Sequence, residues 1–188
     1  MELMSDRRSV PTPCPPNAMP PRSSSLVLLS CGSAAQIALL QQQSGNALAS
    51  CLGLALAPPL PAEPGCTPAA MAAALENLAS GSLKPLPLDP GLLLDGGHHW
   101  AETLGAWRQP CLMLLAAEQL NSGQPAASVA LLAQWQVPLV GLVQADGSWQ
   151  EQARRREPLP WLGGLGGDLD ALAAATTLRW QLLNAALA

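Results

Sequence analysis

The chain has 188 residues, enough for one domain with a substantial core. It is 49% hydrophobic and 12% charged, and none of its apolar stretches approaches the roughly 20 residues needed to span a bilayer. The net charge of −4, with Arg154-Arg155-Arg156 as the one basic run, argues against nucleic acid as a partner, so neither a membrane nor a nucleic acid is expected.

Residues 1–24 carry Pro11, Pro13, Pro15, Pro16, Pro20 and Pro21 among polar residues and read as a disordered leader. A single domain is expected over residues 25–188. Cys14, Cys31, Cys51, Cys66 and Cys111 are odd in number and widely spaced, which indicates neither a zinc site nor a disulfide framework and fits a reducing cytoplasm. Leu28-Leu29-Ser30-Cys31 has the form of a lipoprotein cleavage box, but the apolar run before it is too short for a signal segment.

From Ser25 onward, apolar runs alternate with helical segments. Residues 26–30 suit a buried strand, and residues 34–43 a helix ending at Ser44-Gly45. Residues 49–56 are a second strand candidate, and Pro58, Pro59, Pro61 and Pro64 then impose a loop. Thr67 as N-cap and Pro68 at the first helical position open a helix that reaches about residue 79. Residues 83–90 read as a proline-interrupted linker. Residues 92–95 suit a strand ending in Gly96-Gly97, residues 98–107 a helix, and residues 111–116 a strand after Pro110. A helix over 124–136, a strand over 138–144 and a short helix over 149–156 follow. Residues 160–165 cross to a final helix over 168–187, which Asp168 and Asp170 favour at its start. The pattern predicts a Rossmann-like, three-layer α/β domain, with a mostly parallel sheet of about five strands flanked by helices. A ligand would then lie at the carboxyl ends of the strands, among residues 95–100, 117–122 and 144–148.

The segment Leu92-Leu93-Leu94-Asp95-Gly96-Gly97-His98-His99-Trp100 resembles the strand and glycine turn of dethiobiotin synthetases, within the wider group of P-loop proteins that includes cobyrinic acid amide synthases and the MinD/ParA ATPases. Gln109–Leu115, Val137–Val143 and Leu159–Gly163 are similar to later segments of that family, in the same order. The resemblance covers residues 90–187. It implies a nucleotide-binding α/β fold, ATP and Mg²⁺ as cofactors, and a metal-holding role for Asp95.

The chain departs from that pattern at the phosphate loop. The family's loop ends in Gly-Lys-Thr, where backbone N–H groups cradle the phosphates and the lysine neutralises their charge. Here the place is filled by Ser30-Cys31-Gly32-Ser33-Ala34, without lysine, and the chain's one lysine is Lys84. Ala145 stands where the family reads adenine with an asparagine. The resemblance therefore implies an eroded ATP site in a non-catalytic protein that acts through a protein partner or as a homodimer. The alternative is an ATP-dependent dethiobiotin synthetase, in biotin biosynthesis, with a divergent nucleotide site.

Several residues remain candidates for chemistry. Asp95, at a predicted strand end, is either a functional carboxylate or a turn and cap residue. Asp95 and His98 could form an acid–base pair, or hold a metal with Glu118 as third ligand. Gly32 and Ser33 could bind an anion at a helix start, or Ser33 could cap the helix. Gly96 and Gly97 are the remaining cofactor-binding candidates.

Overall fold

The computed structural model describes residues 25–187, so the expectation for residues 1–24 lies outside it. Its centre is a six-stranded, all-parallel sheet in the order β2-β3-β1-β4-β5-β6. The strands are β1 (Leu26–Leu29), β2 (Ala55–Leu56), β3 (Ser82–Pro85), β4 (Cys111–Leu115), β5 (Leu139–Gln144) and β6 (Trp161–Gly164). The helices are α1 (Ala34–Cys51), α2 (Pro68–Glu76), α3 (Trp100–Ala106), α4 (Gln124–Gln134), α5 (Glu151–Arg154) and α6 (Leu169–Ala186). The three-layer parallel architecture is as expected, with one strand more.

Alternation along the strands separates two cores. Val27, Leu29, Met113 and Leu115 point to the face covered by α2, α3 and α4, where Met71, Leu75, Trp100, Leu104 and Leu132 pack. Leu26, Leu28, Leu112 and Leu114 point to the face covered by α1 and α6, against Leu40, Leu48 and Leu172. Strands buried on both faces read as continuous apolar runs, which is why β1, β4 and β5 were legible. Among the described residues no helix is long and apolar enough to cross a membrane.

Four expectations are corrected. Residues 92–95 form no strand; they belong to the loop between β3 and α3. The strand lies upstream, at Ser82–Pro85, overlapping the start of the expected linker, and it places Lys84 opposite Val27 of β1. Lys84 and Pro85 disguised it. Pro85 turns its carbonyl to the N–H of Leu60, beyond the end of β2, so its missing donor breaks no ladder bond. Helix α1 does not stop at Ser44-Gly45 but runs to Cys51, so residues 49–51 are helical and β2 shrinks to two residues. Residues 161–164 are the edge strand β6, not a crossing segment.

Helices α3 and α4 end alike. Arg108 and Gln136 adopt φ of 47° and 56°. Gln109 and Val137 each donate an N–H back to the carbonyl five residues earlier, at Leu104 and Leu132. This left-handed helix stop satisfies the last carbonyls, and Pro110 and Pro138 then launch β4 and β5.

Candidate functional site

Strands β1 and β4 are neighbours, yet the helices that follow them leave on opposite faces of the sheet, α1 on one and α4 on the other. Such a switch point is where open α/β sheets hold ligands. The crevice is bounded by Ser30–Ser33 after β1, by the loop after β3 ending at Asp89, and by the single 3-10 turn Ala117–Gln119 after β4.

The chain's own side chains occupy the donors there. Gly32 donates its N–H to Asp89 Oδ2 at 3.1 Å. Ser33 donates its N–H to Gln36 Oε1 at 3.0 Å and its hydroxyl to the same oxygen at 2.8 Å. The Gln36 N–H returns to Ser33 Oγ at 3.4 Å, completing a capping box on α1. Gln119 is buried between the two loops. Its Nε2 donates to the Cys31 carbonyl at 2.7 Å, and its Oε1 accepts from the Ala116 N–H at 2.9 Å. Gln41 Nε2 donates to the Leu86 carbonyl at 2.9 Å, tying α1 to the end of β3. Asp146, after β5, accepts the Ala117 N–H at 2.6 Å. Four polar side chains, Asp89, Gln119, Gln41 and Asp146, thus stitch the carboxyl ends of β1, β3, β4 and β5 together.

The residues present do not fit a nucleotide's phosphates. A phosphate cradle needs backbone N–H groups aimed at the anion and a cation beside it. Here the Gly32 N–H already faces a carboxylate, whose charge would repel an incoming phosphate. Gly32 has a φ of 120°, and a Cβ added there would lie 3.1 Å from Gln36 Oε1 and 3.6 Å from Gln119 Nε2. Gly32 and Ser33 therefore sit where expected, with Ser33 as a helix cap.

The other candidates lie in a different loop. Asp95 is exposed and lies within the turn in which the Gly97 N–H donates to the Leu94 carbonyl at 2.8 Å. Gly97 takes a φ of 74°, as that turn requires. Gly96 lies under the His98 ring, close enough that a Cβ would meet Cε1. His98 Nε2 is 2.8 Å from the Cys66 carbonyl, so the ring docks this loop on the entrance to α2. His99 is the N-cap of α3. Its Nδ1 accepts from the Glu102 N–H at 3.2 Å, and its ring meets Trp135 edge-on at 4.9 Å. The two histidines thus serve different elements. Glu118 is exposed on the 3-10 turn after β4. Among the described residues no three His, Cys, Asp or Glu side chains converge as a metal site.

Asp89 and Gln119 were missed by sequence reasoning. Asp89 stands in Asp89-Pro90-Gly91, an evident turn signal, and does accept the Gly91 N–H at 2.9 Å. Its second partner is 57 residues away in sequence, and that of Gln119 is 88.

Cys31 is the one thiol at the crevice. Burial raises it above the ordinary thiol value; a hydrogen bond from Ser128 opposes this and the negative charge of Asp89 adds to it. A raised, buried thiol is a poor nucleophile. Iodoacetamide at mildly alkaline pH should therefore label half-buried Cys51 before Cys31 and the fully buried Cys111. Peptide mass spectrometry reads the order; Cys31 reacting as fast as Cys51 would contradict the closed crevice.

In comparisons with known proteins, no family model and no curated protein matches the chain.

Proposed function

We propose that the chain is a non-catalytic α/β protein, similar in build to dethiobiotin synthetases, whose ATP site is eroded and which acts through protein binding or oligomerisation. The observation that carries this reading is the closed crevice. Asp89 stands as an internal anion on the Gly32 N–H, and Gln119 fills the gap between the loops after β1 and β4. Loss of the loop lysine removes the charge that a phosphoryl group would need in both ground and transition states. The family likeness leans on residues 109–115, whose strand starts after a proline as in that family, and on residues 137–143; the two lie largely in β4 and β5. It no longer leans on residues 92–95.

Titration calorimetry with ATP, in the presence and absence of Mg²⁺, tests the reading. No heat beyond dilution is expected up to millimolar nucleotide. Micromolar affinity would overturn the eroded site and revive the ATP-dependent synthetase.

A further inference from the structure

We infer that the peptide bond between Asp95 and Gly96 is a site of spontaneous backbone modification: the chain closes a succinimide there and reopens it as isoaspartate, with His98 as the base. This loop lies apart from the closed crevice, and its chemistry is independent of whether the protein binds ATP.

The first step is attack by the Gly96 nitrogen on Cγ of Asp95. An N–C bond forms, and a carboxyl hydroxyl leaves as water with the proton from that nitrogen. Water then opens the five-membered imide. Opening at the side-chain carbonyl restores aspartate; opening at the backbone carbonyl leaves the chain running through Cβ and Cγ. Only water leaves and only water enters. The attack needs a free carboxyl group, a peptide plane free to turn, a small following residue and a base near the nitrogen.

The chain has two Asp-Gly pairs, and both are exposed, so exposure does not separate them. Asp146-Gly147 is clamped. Asp146 Oδ1 accepts the Ala117 N–H at 2.6 Å, and the Asp146 carbonyl accepts from Gln144 Nε2 at 2.5 Å. Gly147 also packs on Ala117, whose Cβ would lie 3.2 Å from a Cβ added to the glycine. At Asp95-Gly96 the reacting groups are free. Among the described residues the Asp95 carboxylate has no partner, and neither the N–H nor the C=O of this peptide is hydrogen-bonded. The Asp95 N–H, on the Pro64 carbonyl at 3.2 Å, anchors only the near end of the turn. Gly96 has no side chain to obstruct the attack.

The base comes from the same turn. His98 Nε2 lies 2.8 Å from the Cys66 carbonyl, which can only accept, so Nε2 carries the proton. In the neutral ring Nδ1 then holds the lone pair. That nitrogen rests on Gly96: a Cβ built there would lie 2.6 Å from it. Among the described residues nothing else bonds to Nδ1. The turn thus sets a basic nitrogen beside the residue whose N–H must lose its proton. Isoaspartate adds one carbon to the main chain between Leu94 and Gly97, and so opens the turn that the Gly97 N–H closes on the Leu94 carbonyl.

Incubating the full chain for several weeks at neutral pH in heavy-oxygen water, then digesting it for peptide mass spectrometry, reads the modification. Isoaspartate carrying one heavy oxygen is expected at Asp95. Its level should exceed that at Asp146 by about tenfold or more, because the clamp there withholds the reactive geometry. H98Q keeps an N–H for the Cys66 carbonyl but offers no basic nitrogen, and should slow the reaction at Asp95 by about tenfold. An unchanged circular dichroism spectrum shows that the variant keeps the fold; if H98Q unfolds, H98N is read in its place. No isoaspartate at Asp95, equal amounts at the two pairs, or an undiminished rate in a folded His98 variant would each overturn the inference.

Discussion

Replacing Trp100 by alanine is expected to destabilise the protein by about 3–5 kcal/mol, the cost of emptying a large, fully packed aromatic site. Trp100 is fully buried at the start of α3, in the core shared with α2 and α4. A cavity there has no solvent to fill it and is walled by helices already held to the sheet. In a chain of this size the loss corresponds to a fall in Tm on the order of 10 °C. Phenylalanine at the same position should behave differently. The indole Nε1 is buried with no hydrogen-bond partner among the described residues, a burden of ~1–3 kcal/mol. W100F loses packing but also removes that burden, so it should stay within about 1 kcal/mol of wild type. Urea unfolding with an unchanged m-value measures both. Equal losses for the two variants would mean that ring volume alone matters there.

The second large effect comes from one substitution made in two helices, with opposite outcomes. Glycine to alanine inside a helix ordinarily gains up to about 1 kcal/mol, because alanine orders at lower entropic cost. At Gly45, within α1, a new Cβ would meet Leu56 at 3.6 Å, an ordinary contact, and the gain should be realised. At Gly105, within α3, the Cβ would fall inside the van der Waals radius of the Trp135 carbonyl oxygen, at the end of α4. That neighbour is backbone, fixed by the helix stop at Gln136, and cannot swing aside. Overpacking of ~1–3 kcal/mol or more then outweighs the helical gain. G45A should raise the Tm and G105A lower it; a stabilised G105A would show that α3 and α4 separate freely.

The two glycines also show how far local sequence carries. In isolation Ser44-Gly45 is a helix-stop signal, yet α1 continues because Gly45 packs on β2 and the helix gains from staying on the sheet. The histidines teach the same lesson. Nothing local separates His98 from His99, yet His98 bonds the loop before α2 and His99 caps α3.

Sequence alone determined the layered α/β class, the strands β1, β4 and β5, the cap at Thr67, the acidic start of α6 at Asp168, and the absence of lysine from the first loop. Each of these depends on residues within a few positions of one another, so its signal survives without knowledge of the fold. Tertiary structure alone decided that Ser82–Pro85 is a strand between β2 and β1, since neither Lys84 nor Pro85 favours one and pairing on both sides supplies the stabilisation. It alone decided that Asp89 and Gln119 close the crevice, because those hydrogen bonds join residues distant in sequence that only the strand order brings together. It also moved Asp95 from a strand end to an exposed loop: the third strand ends at Pro85, and where a strand ends is set by its partners.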